Sequence, residues 1–416
     1  MTRAFRLLMY GLILASAAAQ FALVPVMPVY AHRLGLSGLQ QGLLLGATGL
    51  ATLAVSVPAG TLSDRFGARR ITLAAGLLMA VATLGQALAG SFPALLAARL
   101  AFGAGYGVLW TAGLCWLAAA AGGPRALGGS VASAGVGGVV GPAVSGALTE
   151  HFGLAVPLLA AAAGFTVITA GLAALRVPAG IAESGPVALA GLRAAGRDRG
   201  VIGAAAAVVT AGLSTGACAL LVPAQLHLTG ASSGQIGLVF AAAGILFAAG
   251  SALTTAAGRR AVTLPVICAG MLVLTAALSL GVLSTASLAL IVMLCVATGA
   301  RSVLWTVSYP LAATAAERRG IGLGAAVGLL NGIWAATAVL GPLGAGLAAE
   351  HLGGRAAFGL TEAACAAALA VTVAAAGRGW LPARRLTGPS RLGARRAAGH
   401  GPGPDPVPAS RGTAVP

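Results

Sequence analysis

Twelve apolar runs, each close to the roughly 20 residues a membrane-crossing helix needs, follow one another along this chain. They lie near 7–30, 40–62, 71–90, 93–117, 127–149 and 153–175, then 200–222, 234–256, 262–283, 286–311, 322–349 and 355–376. In lipid every backbone N–H and C=O must find a partner inside the protein, so runs of this kind fold as α-helices. Gly and Pro within them are tolerated because neighbouring helices take up the freed groups. Only 8% of the 416 residues are charged, against roughly a quarter in a soluble domain. So few charges cannot cover a wet surface, and a compact soluble enzyme is excluded.

The net charge is +17, and all 25 basic residues counted as Lys or Arg are arginines. An excess of this size suits either nucleic acid or an anionic membrane face, and position decides between them. Arg3, Arg6, Arg65, Arg69, Arg70, Arg125, Arg176, Arg193, Arg197, Arg199, Arg259, Arg260, Arg318 and Arg319 fall on one side of the twelve spans, and seven more follow in the C-terminal tail. The opposite loops hold only Arg33 and Arg355, and Arg99 and Arg301 lie inside spans. The positive-inside rule then puts both termini in the cytoplasm of a multi-pass plasma (inner) membrane protein. No nucleic-acid partner is expected. The all-Arg, Ala/Gly-rich composition suggests a GC-rich bacterium. Arg3 and Arg6 before an apolar run to Ala19 have the look of a signal peptide, but eleven further runs make this the first span. The five cysteines all lie in apolar runs without metal-ligand spacing, so no metal or cofactor is expected.

The fold class expected is therefore an all-α membrane protein with twelve transmembrane helices in two parallel six-helix repeats. Residues 1–176 form the first bundle, 177–199 a cytoplasmic linker, 200–378 the second bundle and 379–416 a disordered basic tail. The duplication is visible in the text. Leu23-Val24-Pro25 returns as Leu221-Val222-Pro223, and Val108-Leu109-Trp110-Thr111 as Val303-Leu304-Trp305-Thr306. Gly141-Pro142, Gly146 and Glu150-His151-Phe152-Gly153 return as Gly341-Pro342, Gly346 and Glu350-His351-Leu352-Gly353. A parallel repeat about an axis along the membrane normal is one of the architectures secondary transporters use for alternating access.

Between spans two and three stands Gly60-Thr61-Leu62-Ser63-Asp64-Arg65-Phe66-Gly67-Ala68-Arg69-Arg70. It resembles the loop signature of the major facilitator superfamily, G-x-L-x-D-R-x-G-R-[RK]. Arg99 to Gly105 is similar to that family's R-x-x-x-G-x-G pattern, and Gly137, Gly141, Pro142 and Gly146 to its fifth-helix pattern, associated with antiporters. The resemblance is to the twelve-helix drug/proton antiporter type. It implies that Asp64, with Gly60, Arg65, Gly67, Arg69 and Arg70, helps latch the halves in the outward-facing state, against the start of span eleven near Ile321. The alternative is a solvated turn whose arginines obey the positive-inside rule. The second-half copy, Thr254 to Arg260, has no acid.

A charge within a span costs about 2.5 kcal/mol or more and normally faces a bundle interior. The resemblance gives Arg99 a part in proton coupling or in the helix network behind Asp64; the competing reading is snorkelling toward a helix end. Glu362 is an acid inside an apolar run, either a proton carrier or a partner of Arg355. Glu150-His151 and Glu350-His351 are either a titrating gate or ordinary interface-level polar residues. Gly137, Gly141, Pro142 and Gly146, with Gly341, Pro342 and Gly346, read as seams along which small residues let helices approach closely. By family analogy spans one, four, seven and ten line the cavity, which makes Gln20, Tyr106, Trp110, Gln225, Arg301, Trp305 and Tyr309 its candidates. Each is otherwise a packing or interface residue.

A pocket so poor in fixed charges suits a lipophilic organic compound better than a sugar. The function expected is a monomeric secondary transporter, most simply a proton-coupled exporter of drugs or metabolites. The alternatives are an uptake permease for a nutrient or organic anion, with Arg301 on the substrate, and a non-transporting membrane sensor. The first span carries no acid, unlike many drug exporters of the family, so coupling would run through Asp64, Glu362 or an outer Glu/His, or else be something other than proton exchange. No paired carboxylates, metal-spaced His/Cys or Walker loop suggest an enzyme or ATP as the driver.

Overall fold

A computed structural model of the chain describes residues 2–121, 124–175, 177, 199–319 and 323–377. The expected linker, apart from Val177 and Arg199, and the expected tail lie outside the described residues. Twelve helices are long and apolar enough to cross a membrane, and no strand occurs among the described residues. They are α1 (Thr2–Leu34), α2 (Gly38–Phe66), α3 (Ala68–Leu88) and α4, which runs Phe92–Val108 and Leu114–Ala121 with a π-helical turn at Leu109–Gly113 between. There follow α5 (Pro124–Phe152), α6 (Ala155–Ala174), α7 (Arg199–Leu228) and α8 (Ser233–Ala257). The last four are α9 (Leu264–Leu283), α10 (Ser287–Arg319), α11 (Leu323–Leu352) and α12 (Gly354–Gly377).

Local chemistry sets several of these ends. Ser37 and Gln40 form a capping box at the start of α2, and Ser232 and Gln235 form the same box at the start of α8. Each box satisfies two backbone donors that the first turn leaves orphaned. Gly153 and Gly353 close α5 and α11 with φ of 88° and 86°, a region where a side chain would clash.

Pairing repeats with a period of six helices. In the first half α1 packs on α5, α2 on α4, and α3 on α4 and α6; in the second α7 packs on α11, α8 on α10, and α9 on α10 and α12. The halves meet along α2 with α11 and α5 with α8. This is the duplicated bundle that the recurring peptides point to.

The two faces of the bundle differ. Buried side chains join across the halves toward the face that carries Glu150 and Glu350. There Leu23, Met27, Leu44, Leu95 and Leu158 of the first half share one core with Leu220, Leu221 and Ala345 of the second. Toward the face that carries Asp64 the buried core is split. Phe5, Met9, Phe102, Trp116 and Phe165 cluster in the first half, and Val201, Val208, Ala312 and Leu330 in the second. Among the described residues, cohesion between halves therefore sits on the Glu150 face.

Candidate functional site

A cavity of about 150 Å³ lies between the halves, near the middles of α1, α2, α4, α7 and α11. Gln20, Phe21 and Val24 line it from α1, Leu45, Thr48 and Thr52 from α2, and Arg99 and Tyr106 from α4. Gly212, Thr215, Gly216 and Ala219 of α7 face Trp334, Ala335, Ala338 and Pro342 of α11. The walls are mostly apolar and none of these residues is acidic. A volume of this order holds one benzene-sized ring, so a drug-sized molecule, which needs roughly 300 Å³ or more, requires the halves to part further.

Arg99 is the one charged residue in this lining, and it is almost wholly buried, 1% exposed. Its Nη2 donates to the backbone carbonyl of Gln20 at 2.8 Å and to Gln20 Oε1 at 3.1 Å. The guanidinium also lies 5.3 Å from the Phe102 ring centroid. One helical turn on, Tyr106 packs 6.0 Å from Trp110, at the π turn that interrupts α4. Such turns frequently occur at functional sites. The structure thus brings Gln20, Arg99 and Tyr106 to one cavity, with Trp110 packed against Tyr106 at a tilt.

The other expected lining residues sit elsewhere. Trp305 packs 4.6 Å from Trp334 and 5.3 Å from Tyr309, whose hydroxyl bonds Asn331 Oδ1 at 2.8 Å. That aromatic cluster supports the wall at Trp334, but Trp334 alone of its rings lines the cavity. Arg301 Nη2 donates to Thr298 Oγ1 one turn away at 2.6 Å. Gln225 lies against the backbone of Gly354 near the Glu150 face. Glu362 accepts from the Ser279 hydroxyl at 2.5 Å, joining α12 to α9 away from the cavity. Where family analogy assigns a wall to span ten, α2 and α11 supply it. The reason is steric: these helices approach so closely on the Glu150 face that their middles bound the space between the halves.

Glycine makes that approach. A methyl group at Gly38 would overlap the Gly346 carbonyl oxygen, and one at Gly42 the Pro342 carbonyl oxygen. The symmetric contact places Gly146 against the Ser233 carbonyl and Gly237 against that of Pro142. Gly137, Gly141 and Gly341 pack instead on α1 and α7 within their own halves, against Leu14, Ala18 and Leu213. The seam between halves is thus made by Gly146, Gly346 and the carbonyls of Pro142 and Pro342.

Two carboxylates complete this face. Glu150, at the end of α5, accepts from the Gly234 N–H at 3.0 Å and from the Ser232 hydroxyl at 2.8 Å, at the start of α8. Glu350, at the end of α11, accepts from the Leu39 N–H at 3.0 Å, at the start of α2. Each acid meets the N-terminus of a helix of the other half, where free N–H groups and the helix dipole favour negative charge. The repeated Ser-x-x-Gln of the capping boxes is the sequence signal that would have located both receiving ends.

On the opposite face Asp64 is exposed in the last turn of α2 and makes no hydrogen bond or ion pair among the described residues. Its expected partner near Ile321 lies outside the described residues. Gly60 has nothing within 4 Å of the position a Cβ would take. Arg65 lies 5.2 Å from the Phe66 ring centroid, Arg70 is exposed, and Gly67 turns the chain from α2 to α3 with φ of 86°. Arg69 donates to the carbonyls of Ala173 and Leu175 at 2.8 and 3.3 Å, binding α3 to the end of α6.

Twelve spans in two like halves, parted by a cavity and joined at one face, are an architecture that secondary transporters use for alternating access. The Major Facilitator Superfamily model matches residues 9–326, and the chain belongs to that family. It is 34% identical over 86 residues to the quinolone resistance protein NorA of Staphylococcus aureus, a stretch covering 21% of this chain and 22% of that one. It is 35% identical over 140 residues to the uncharacterized MFS-type transporter YuxJ of Bacillus subtilis, covering 32% and 35%. The chain thus spans between a fifth and about a third of the curated relatives it matches. Among solved structures, a bacterial homologue of the human lysosomal transporter Spinster, inward-facing and unoccupied, aligns over 93% of this chain and 99% of its own. The TM-score is 0.75 at 17% identity. The nucleoside transporter NupG aligns over 89% and 99% with a TM-score of 0.71 at 13% identity.

Proposed function

We propose that this chain exports a small, lipophilic organic compound by alternating access, in exchange for protons, as a monomer in the inner membrane of a bacterium. The observation that carries the reading is the cavity: mostly apolar, between two repeats, and sealed on the Glu150 face. With both termini cytoplasmic, the sealed Glu150 face is the external one and the split core opens toward the cytoplasm. An apolar substrate partitions into such a cavity by shedding water from its own surface, and leaves when the halves rock the other way.

Export draws support from the likeness to a quinolone resistance protein and from the fifth-helix Gly-Pro seam. Proton coupling draws on acids outside the cavity, of which Asp64 and Glu362 are the candidates. In this reading Arg99 and Tyr106 belong to the substrate wall. Gly60, Asp64, Arg65, Gly67, Arg69 and Arg70 belong to a cytoplasmic latch. Glu150 and Glu350 hold the external face shut.

The test is flux of lipophilic dyes in proteoliposomes under an imposed pH gradient, comparing the unmodified chain with Asp64→Asn and Glu362→Gln. Gradient-driven flux that falls in either variant supports the reading. No gradient-dependent flux of any dye removes proton-driven export.

A further inference from the structure

The cavity holds a cation that the described residues leave without a counter-charge. Arg99 is 1% exposed, its Nε has no hydrogen-bond partner, and the acceptors of its Nη2 are the two neutral oxygens of Gln20. Beside it on α2, Thr48 is 2% exposed and its hydroxyl also lacks a partner. Two unsatisfied buried donors therefore border one space. A buried polar group without a partner is costly, and a buried unpaired charge more so. The far wall is of another kind: Trp334, Ala338 and Pro342 offer it no charge.

We infer that Arg99, Gln20 and Thr48 form an anion subsite in the transport cavity, and that the substrate is an amphipathic organic anion. Its charged head meets Arg99, and its apolar body lies against Trp334 and Pro342. The inference rests on the transport reading above and adds to it the chemical class of the cargo. The Gln20 amide oxygen occupies a place beside the guanidinium that an anionic oxygen fills better, because a charge-assisted hydrogen bond is about twice as strong as a neutral one. A planar guanidinium can hold two oxygens of a carboxylate or sulfonate at once.

Charge balance gives the arrangement a consequence for transport. Closing the empty cavity occludes a bare cation in a medium of low dielectric, whereas closing it around an anion occludes a neutral pair. Loading therefore favours the closure that precedes release on the other side.

The alternative is that Arg99 only clamps α4 to α1 through Gln20, and binding separates the two. The probes are 2-naphthalenesulfonate, which stays ionised, and the neutral 2-naphthalenesulfonamide, which shares its body. The purified protein in detergent should bind the sulfonate about tenfold tighter or more, the equivalent of one charged hydrogen bond. Arg99→Gln should abolish that preference, and Arg99→Lys should retain part of it. Gln20→Glu gives Arg99 a fixed counter-charge and should weaken sulfonate binding more than sulfonamide binding, which carries the test if Arg99→Gln does not fold. Equal binding of the two probes, no binding of either, or a preference unchanged in Arg99→Gln or Gln20→Glu overturns the subsite. In proteoliposomes, movement of the neutral probe without the sulfonate sinks the subsite and spares transport, while movement of neither sinks both.

Discussion

The carboxylate of Glu350 accepts a hydrogen bond at 3.0 Å from the backbone N–H of Leu39, 311 positions earlier and in the other half of the molecule. Glu150 and Gly234 repeat the arrangement at the same distance. Each contact sets a negative charge on the exposed N–H groups of a helix start, so the charge itself holds the halves together. Glu350→Gln and Glu150→Gln keep an acceptor oxygen and lose the charge. Each should enlarge the population open on this face, and the double variant should exceed either. Spin labels at Arg33 and Leu228, exposed at the ends of α1 and α7 on this face, report it as a growing long-distance component. An unchanged distance distribution in the double variant removes these acids as a lock.

The glycine seam makes a sharper steric prediction. A methyl at Gly346 meets the Gly38 carbonyl oxygen, whereas one at Gly344, two residues away, has nothing within 4 Å. Overpacking of a close contact costs about 1–3 kcal/mol, and here it falls only on the state closed at this face. Gly346→Ala should lower the melting temperature of the solubilised protein and open the Glu150 face. Gly344→Ala should match the parent in both measurements.

Arg69 and Arg70 are neighbours with different work. Arg69 binds two carbonyls at the end of α6; Arg70 is exposed on the surface. Hydrogen bonds from a charged donor contribute roughly 1.5–3 kcal/mol, less where water competes, so Arg69→Ala should cost about 1 kcal/mol of stability. Arg70→Ala should leave the melting curve in place. Equal melting of the two variants would remove the tie between α3 and α6.

Which parts were legible in the sequence follows from range. Span length and the recurring Gly-Pro and Glu-His peptides are local features, and the twelve helices and their duplication come directly from them. The cavity walls do not, because Gly-rich text leaves open which face of α2 or α11 turns inward. Thr48 and Trp334 are silent in the sequence for that reason. Glu362 stands out as an acid in an apolar run, yet only packing reveals Ser279 beside it on α9. The partners of Glu150 and Glu350 were hidden by distance along the chain, although the Ser-x-x-Gln at Ser37 and Ser232 marked both receiving helix starts.

Asp64 yields the prediction of opposite sign. It is exposed and unpaired among the described residues, so Asp64→Asn removes no contact with any of them. The melting curve of the protein held in this state should therefore not move. If Asp64 latches the other state, as the loop signature implies, the same substitution destabilises only that state. The population then shifts toward closure of the Glu150 face, because a two-state equilibrium moves by the difference in effect on its two ends. The Arg33 and Leu228 labels should report a smaller long-distance component in Asp64→Asn, where Glu150→Gln and Glu350→Gln enlarge it. Substrate flux should fall in both kinds of variant, since cycling needs both states. Combining Asp64→Asn with Glu350→Gln should bring the distance distribution back toward the parent. A larger open population in Asp64→Asn alone would mean that the acid does not latch the alternate state, and that the charge of the loop acts only on topology.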